Sequence, residues 1–183
     1  MAATCFGSNA AWCTGHTVEI MDIQHHALEA LRNITPGARP FDTKNATVFV
    51  IGHDDQCTTI TEYPDIYIAL GTLTDDVARI DDAIHGRPLL GARALGVLTC
   101  GWAAPISDDE TPPSCHPHRR RVRLAVIATG DLVTGSALEF QDDPDSPILD
   151  DGAATGSLRD ALLKAMRAVL DYQAAFDLDS MND

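Results

Sequence analysis

Cys115, His116 and His118 stand within four positions of one another, in the stretch TPPSCHPHRRRVRL of residues 111–124. Thiolate and imidazole are the groups that hold zinc and related metals, so this triplet is the first candidate for chemistry. His116 and His118 flank a proline, and alternate residues of an extended backbone share a side. Two imidazoles so placed can reach one metal ion, with Cys115 or a distant Cys100, His53 or Asp54 completing the shell. A metal-dependent enzyme built on His116 and His118 is therefore one reading. Against it, a structural zinc site needs four ligands in closed spacing, and neither a second half-site nor a C-x-x-C pair is present. A solvated loop is favoured, and no cofactor is expected.

Arg119, Arg120, Arg121 and Arg123 follow at once, four of the thirteen basic residues within five positions. On a strand Arg119, Arg121 and Arg123 share one face, opposite Arg120, Val122 and Leu124. Such a face is usable for phosphate contacts. Aromatic interleaving is absent and the net charge is -14, so a nucleic-acid ligand, or a DNA mimic acting through its acids, ranks below a simpler reading. In that reading the arginines pair with Asp108, Asp109 and Glu110 at the other end of the same connection.

Other clusters are weaker. GHDDQ (52–56) offers a His and two Asp, but it is ordinary turn chemistry. His25 and His26, adjacent on a helix, point about 100° apart and cannot chelate one metal together. The acids from Asp142 to Asp151 lack the glycine and terminal glutamate of a calcium loop and are interrupted by Pro144 and Pro147. There is no G-x-S-x-G, no phosphate-binding loop and no dinucleotide fingerprint. A catalyst is thus less expected than a binding protein.

The elements that must position these residues fit one domain of 183 residues. Residues 1–16 lack periodicity and read as a loose arm. Ile20, Ile23, Ala27, Leu31 and Ile34 then fall on one helical face, with Thr17 as cap and TPGARP (35–40) as stop. Residues 47–51 and 57–62 read as a hairpin around GHDDQ. Ile66, Leu70, Leu73, Val77, Ile80 and Ile84 form one helical stripe, opened by Pro64 at the first helical position and Asp65, and closed by Gly86. DIYIAL within it could alternatively be a strand. Residues 92–105 read as a strand, 106–118 as a long loop, and 119–141 as a second hairpin turning at Gly130-Asp131. An acidic linker follows. Ser157 and Asp160 then make a capping box for a helix burying Leu158, Leu162, Ala165, Val169 and Phe176, before a frayed tail at 177–183. This order predicts an α+β domain over 17–176, with a mainly antiparallel sheet of about five strands and three helices packed on it.

TCGWAAP (99–105), followed after a loop by PPSCHPHRRRVRL (112–124), resembles a pattern in proteins of actinobacteria and their phages. There too a Gly-Trp-Ala-x-Pro strand leads through a Pro-Ser-x-His-Pro loop into an Arg-rich strand. The resemblance spans roughly residues 94–128. It implies that loop and strands form one unit, and no activity comes with it.

Composition completes the expectation. Asp supplies most of the 27 acidic residues, and such a surface repels nucleic acid and anionic membrane while favouring basic partners. Five cysteines without a secretory start point to reduced thiols and a cytoplasmic protein, and no apolar run approaches the ~20 residues that cross a bilayer. The chain is expected to be a non-catalytic accessory protein, with phage ancestry in view. It would bind another macromolecule, a protein rather than a small molecule, through its acidic surface and the 105–121 loop. The contact residues would be Trp102, His116, His118, Arg119, Arg121 and Arg123. An exposed helix stripe or sheet edge leaves a homodimer open.

Overall fold

Among the described residues the chain forms six strands and four α-helices. The computed structural model describes residues 12–34, 41, 45–105, 112–150 and 156–180, and the side chains of these except 12–22, 150 and 179–180. The order is α1 (Trp12–Asn33), β1 (Ala46–Gly52), β2 (Cys57–Tyr63), α2 (Ile66–Asp75), α3 (Val77–Asp82), β3 (Ala92–Ala103), β4 (Arg120–Thr129), β5 (Thr134–Phe140), β6 (Asp143–Asp150) and α4 (Ser157–Ser180). The strands form one sheet in the order β2-β1-β3-β4-β5-β6, every pair antiparallel. The α+β architecture is as expected, with one strand and one helix more.

The alternation of apolar residues decides which helix covers which face. Phe49, Ile51, Ala94, Leu98, Ala125 and Ile127 point one way, against Ile23, Ala27, Ala30 and Leu31 of α1. Val48, Val50, Leu95, Val97, Val126 and Ala128 point the other way, against α2, α3 and α4 through Leu70, Leu73, Val77, Leu162, Met166 and Val169. The central strands β1, β3 and β4 are therefore buried on both faces, which is why their sequences run apolar rather than alternating. Phe49 and Gly96 face each other across β1 and β3, and the ring fills the space where a side chain at Gly96 would stand. Among the described residues no helix is long and apolar enough to cross a membrane.

Several local expectations are corrected. α1 starts at Trp12, so it takes in part of the stretch read as an arm, and Thr17 lies inside it. The 64–86 stripe is two helices. Asp65 is the cap, its carboxylate accepting from the N–H groups of Tyr67 and Ile68, so Pro64 lies outside the helix and 65–71 is no strand. The chain breaks at Asp76 (φ -149°, ψ 46°) and restarts as α3, keeping the apolar stripe on the same side. Asp81, fully buried, accepts from the Leu89 N–H at 2.7 Å and from the Tyr172 hydroxyl at 3.1 Å, which anchors the following turn to α4. Burial and this carboxylate raise the pKa of Tyr172.

Most of the acidic linker is strand β6. Its prolines are tolerated because β6 is an edge and because the pairing skips them: Ile148 opposes Leu138 and Asp143 opposes Phe140. The expected capping box at Ser157 does not form; its hydroxyl bonds to Tyr67 at 2.7 Å instead. α4 continues to Ser180, and Phe176 is exposed beside Arg87 rather than buried.

Candidate binding surface and cleft

TPPSCHPHRRRVRL resolves into a tight turn and the entry of β4. The Cys115 N–H donates to the Pro112 carbonyl, and the Arg119 N–H to the His116 carbonyl, so the segment from Pro112 folds on itself and packs on β3. His116 is buried and His118 exposed, their rings 5.8 Å apart. The His118 N–H donates to Nδ1 of His116 at 3.1 Å, which removes that nitrogen from the set of free ligands. Cys115 lies exposed beside Ser114. Among the described residues no three His, Cys, Asp or Glu side chains are grouped to hold a metal.

The arginines alternate as a strand requires, yet each has a different task. Arg123 pairs with Cys100 across β3 and β4 and is only 5% exposed. Its Nη2 donates to the carbonyls of Leu31 (2.6 Å) and Ile34 (3.1 Å), the open carbonyl end of α1, and its Nη1 to Glu139 (3.3 Å). Arg123 is thus a core residue, and the expectation of a surface contact there is corrected. Arg120 emerges on the opposite face, stacked on Phe140 at 3.7 Å and forked onto Asp142. That bond holds the Asp142 carboxyl below its usual range.

Arg121 sits beside Trp102, its cross-strand partner, with the guanidinium 5.2 Å from the ring centroid, and bonds to the carbonyls of Phe41 and Gly101. Arg119 approaches the same ring at 4.8 Å and donates to the Ser114 carbonyl at 2.5 Å. Trp102 keeps 40% of its surface exposed. The structure therefore brings Trp102, Arg119 and Arg121 together, leaves His118 at the rim, and takes Arg123 and His116 inside. The carboxylate partners of the arginines are Asp142 and Glu139 across the sheet; Asp108, Asp109 and Glu110 lie outside the described residues.

A second site escaped the sequence. At the other end of the sheet a cleft of about 350 Å³ opens where β1, β3 and the β4–β5 turn end between α1 and α4. His26 stands on the buried side of α1, and its Nε2 accepts from Nη2 of Arg93 at 2.7 Å. The same Nη2 bonds to Asp55. Asp55 occupies the tip of the GHDDQ turn at φ 61°, a left-handed conformation that Asp tolerates. Glu29 reaches both His25 and His26. The only trace in sequence was a histidine between Ile23 and Ala27 on an otherwise apolar stripe. Arg93 and Asp55 come from distant elements, so spacing alone could not find them.

Cys57 borders this region at the start of the edge strand β2. Although the residue is exposed, loss of solvent around its thiol pushes its pKa up to about 11. The thiolate is the nucleophile, so at pH 8 only about one molecule in a thousand is reactive. Iodoacetamide labelling, followed by peptide mass mapping, is expected to accelerate about tenfold per pH unit from pH 8 to 10 at Cys57. A rate that levels off near pH 9 would contradict the desolvated thiol.

Comparison with protein-family models, with curated proteins and with solved structures finds no match to this chain.

Proposed function

We propose that the chain is a non-catalytic binding protein, working inside the cell, that recognises another protein through Trp102, Arg119 and Arg121. The carrying observation is the exposed indole flanked by two guanidinium groups on a molecule of net charge -14. Aromatic and arginine side chains dominate the energetics of protein contacts, because they bury much area and cost little ordering when already held. Arg121 is held by two backbone carbonyls and Arg119 by one, so the cations are placed before a partner arrives. A cationic island in an acidic field fits a segment that carries carboxylates and an aromatic ring. Nucleic acid meets the same island but must approach through the repulsive field of the whole molecule. The exposed thiol of Cys115 suits a reducing compartment.

Fluorescence polarisation with a labelled peptide of alternating Glu and Tyr tests the reading, with a labelled oligothymidylate in parallel. Binding of the peptide is expected to weaken at least about tenfold in Arg119→Gln and in Trp102→Ala, the loss of one hot-spot residue being worth over ~1.4 kcal/mol. Tighter binding of the oligothymidylate would overturn the protein-partner reading. Unchanged peptide affinity in both variants would overturn the site.

A further inference from the structure

Four arginines stand at the entry of β4, and they differ in which guanidinium edges remain free. A guanidinium takes a carboxylate in two parallel bonds along one of two edges, Nε with Nη2 or Nη1 with Nη2. Arg123 is buried, with both Nη groups engaged by Glu139 and the end of α1. Arg120 gives its Nε–Nη2 edge to Asp142. Arg121 spends Nε on the Phe41 carbonyl and Nη1 on the Gly101 carbonyl, so each of its edges has one nitrogen already held. Arg119 spends only Nη1, on the Ser114 carbonyl. Its Nε and Nη2 share an edge, and neither has a partner among the described residues. The residue is exposed, so a ligand can reach it.

The same strand shows what completes such an edge. Arg120 stacks on the Phe140 ring, 3.7 Å from its centroid, and Asp142 closes its Nε–Nη2 edge. Arg119 stands 4.8 Å from the centroid of the Trp102 ring, with no carboxylate against it among the described residues. The two arrangements match in ring and guanidinium and differ in the acid. A single turn holds Arg119 ready. Its N–H donates to the His116 carbonyl and the Cys115 N–H to the Pro112 carbonyl, so the Ser114 carbonyl that grips Nη1 is fixed by the turn that also fixes the Arg119 backbone. An edge held in this way loses less freedom when a partner arrives.

We propose, on the reading of Trp102 as a protein contact, that Arg119 is the specificity-determining residue of that surface: its Nε–Nη2 edge receives one Asp or Glu carboxylate of the partner side-on, as Arg120 receives Asp142. The partner's acid completes a stack of ring, guanidinium and carboxylate. Arg121 adds charge beside the indole without a two-point bond. Recognition of a phosphate draws on a cluster of free arginines, and here one complete edge is left.

Fluorescence polarisation with the full chain at physiological ionic strength tests this. The probes are three labelled peptides of equal length, alternating Glu and Tyr, Gln and Tyr, or phosphoserine and Tyr. The Gln peptide is expected to bind at least about tenfold more weakly than the Glu peptide, and the phosphoserine peptide within about threefold of it. Arg119→Lys keeps the charge and loses the edge, so it should fall to within about threefold of Arg119→Gln. The Nε–H resonance of Arg119, identified by its absence from Arg119→Lys, should move to saturation with the Glu peptide and stay in place with the Gln peptide. Equal affinity for the Glu and Gln peptides, undiminished affinity in Arg119→Lys, or a tenfold preference for phosphoserine would overturn the proposal. So would an Nε–H signal that starts at its saturated position and leaves it only in Asp108→Asn/Asp109→Asn/Glu110→Gln, because the chain's own acids would then hold the edge. If Trp102→Ala weakens the Glu and Gln peptides alike, the indole remains a contact and only the carboxylate is lost. Failure of the Glu peptide to bind at all would remove both.

Discussion

Arg123→Met is expected to destabilise the protein by about 3–5 kcal/mol, the range seen when one member of a buried ion pair is removed. The substitution keeps length and apolar bulk, so the loss comes from electrostatics. Glu139 is left partly buried without its cation. The carbonyls of Leu31 and Ile34 lose the donors that close the end of α1. The Phe41 ring, 5.7 Å from the guanidinium, loses its cation as well. Arg123 is not ideally satisfied even now, since its Nε is buried without a partner. A domain is stable by roughly 5–15 kcal/mol in all, so the variant would melt about 10 °C lower or fail to accumulate. Arg123→Lys should recover only part of the loss, because a single ammonium cannot reach α1 and Glu139 in the same geometry. Urea melts of Arg123→Met, Arg123→Lys and a double Arg123→Met/Glu139→Leu variant check this. The double variant should be more stable than Arg123→Met alone, because it removes the stranded carboxylate.

Gly96→Ala is the second large effect. A Cβ built at Gly96 would stand 2.2 Å from the Phe49 Cζ and 2.4 Å from its Cε2, far inside contact distance. Phe49 is fully buried between α1 and the sheet and cannot swing out. Overpacking of this kind costs about 1–3 kcal/mol, and the rigid ring puts the expected value at the upper end. Phe49→Ala alone should cost about 3–5 kcal/mol through the cavity it leaves. The double variant should be less destabilised than the sum of the two, by about 1–2 kcal/mol, because the new methyl enters the vacated space. Strict additivity in chemical denaturation would show that the ring does not rest on Gly96.

These two sites show how far the sequence could be read. The uninterrupted apolar run Leu124–Ile127 marked a strand covered on both faces, and β4 is the middle of the sheet. The stripe from Ile66 to Ile84 marked a helical face, although local pattern could not reveal that Asp76 breaks it in two. β6 was missed because prolines normally end strands, and only its position at the sheet edge makes them harmless. The alternation of Arg119, Arg121 and Arg123 was legible, since it follows from the pleat. Trp102 was named beside them, but Phe41, Leu31 and Glu139 were not, because they arrive from three other parts of the chain. Arg123, read with Arg119 and Arg121 as a contact residue, is the one the core uses. The His26–Arg93–Asp55 cluster illustrates the same limit, joining α1, β3 and a turn that no spacing rule connects.

The sharpest test of the binding account is the indole N–H resonance of Trp102. The chain has two tryptophans, so a Trp12→Phe variant leaves one such signal. Addition of the Glu-Tyr peptide is expected to move it progressively to saturation, to have a much smaller effect in Arg119→Gln, and to leave the amides around Arg93 in place. An indole signal that stays fixed while the peptide binds would contradict recognition at Trp102.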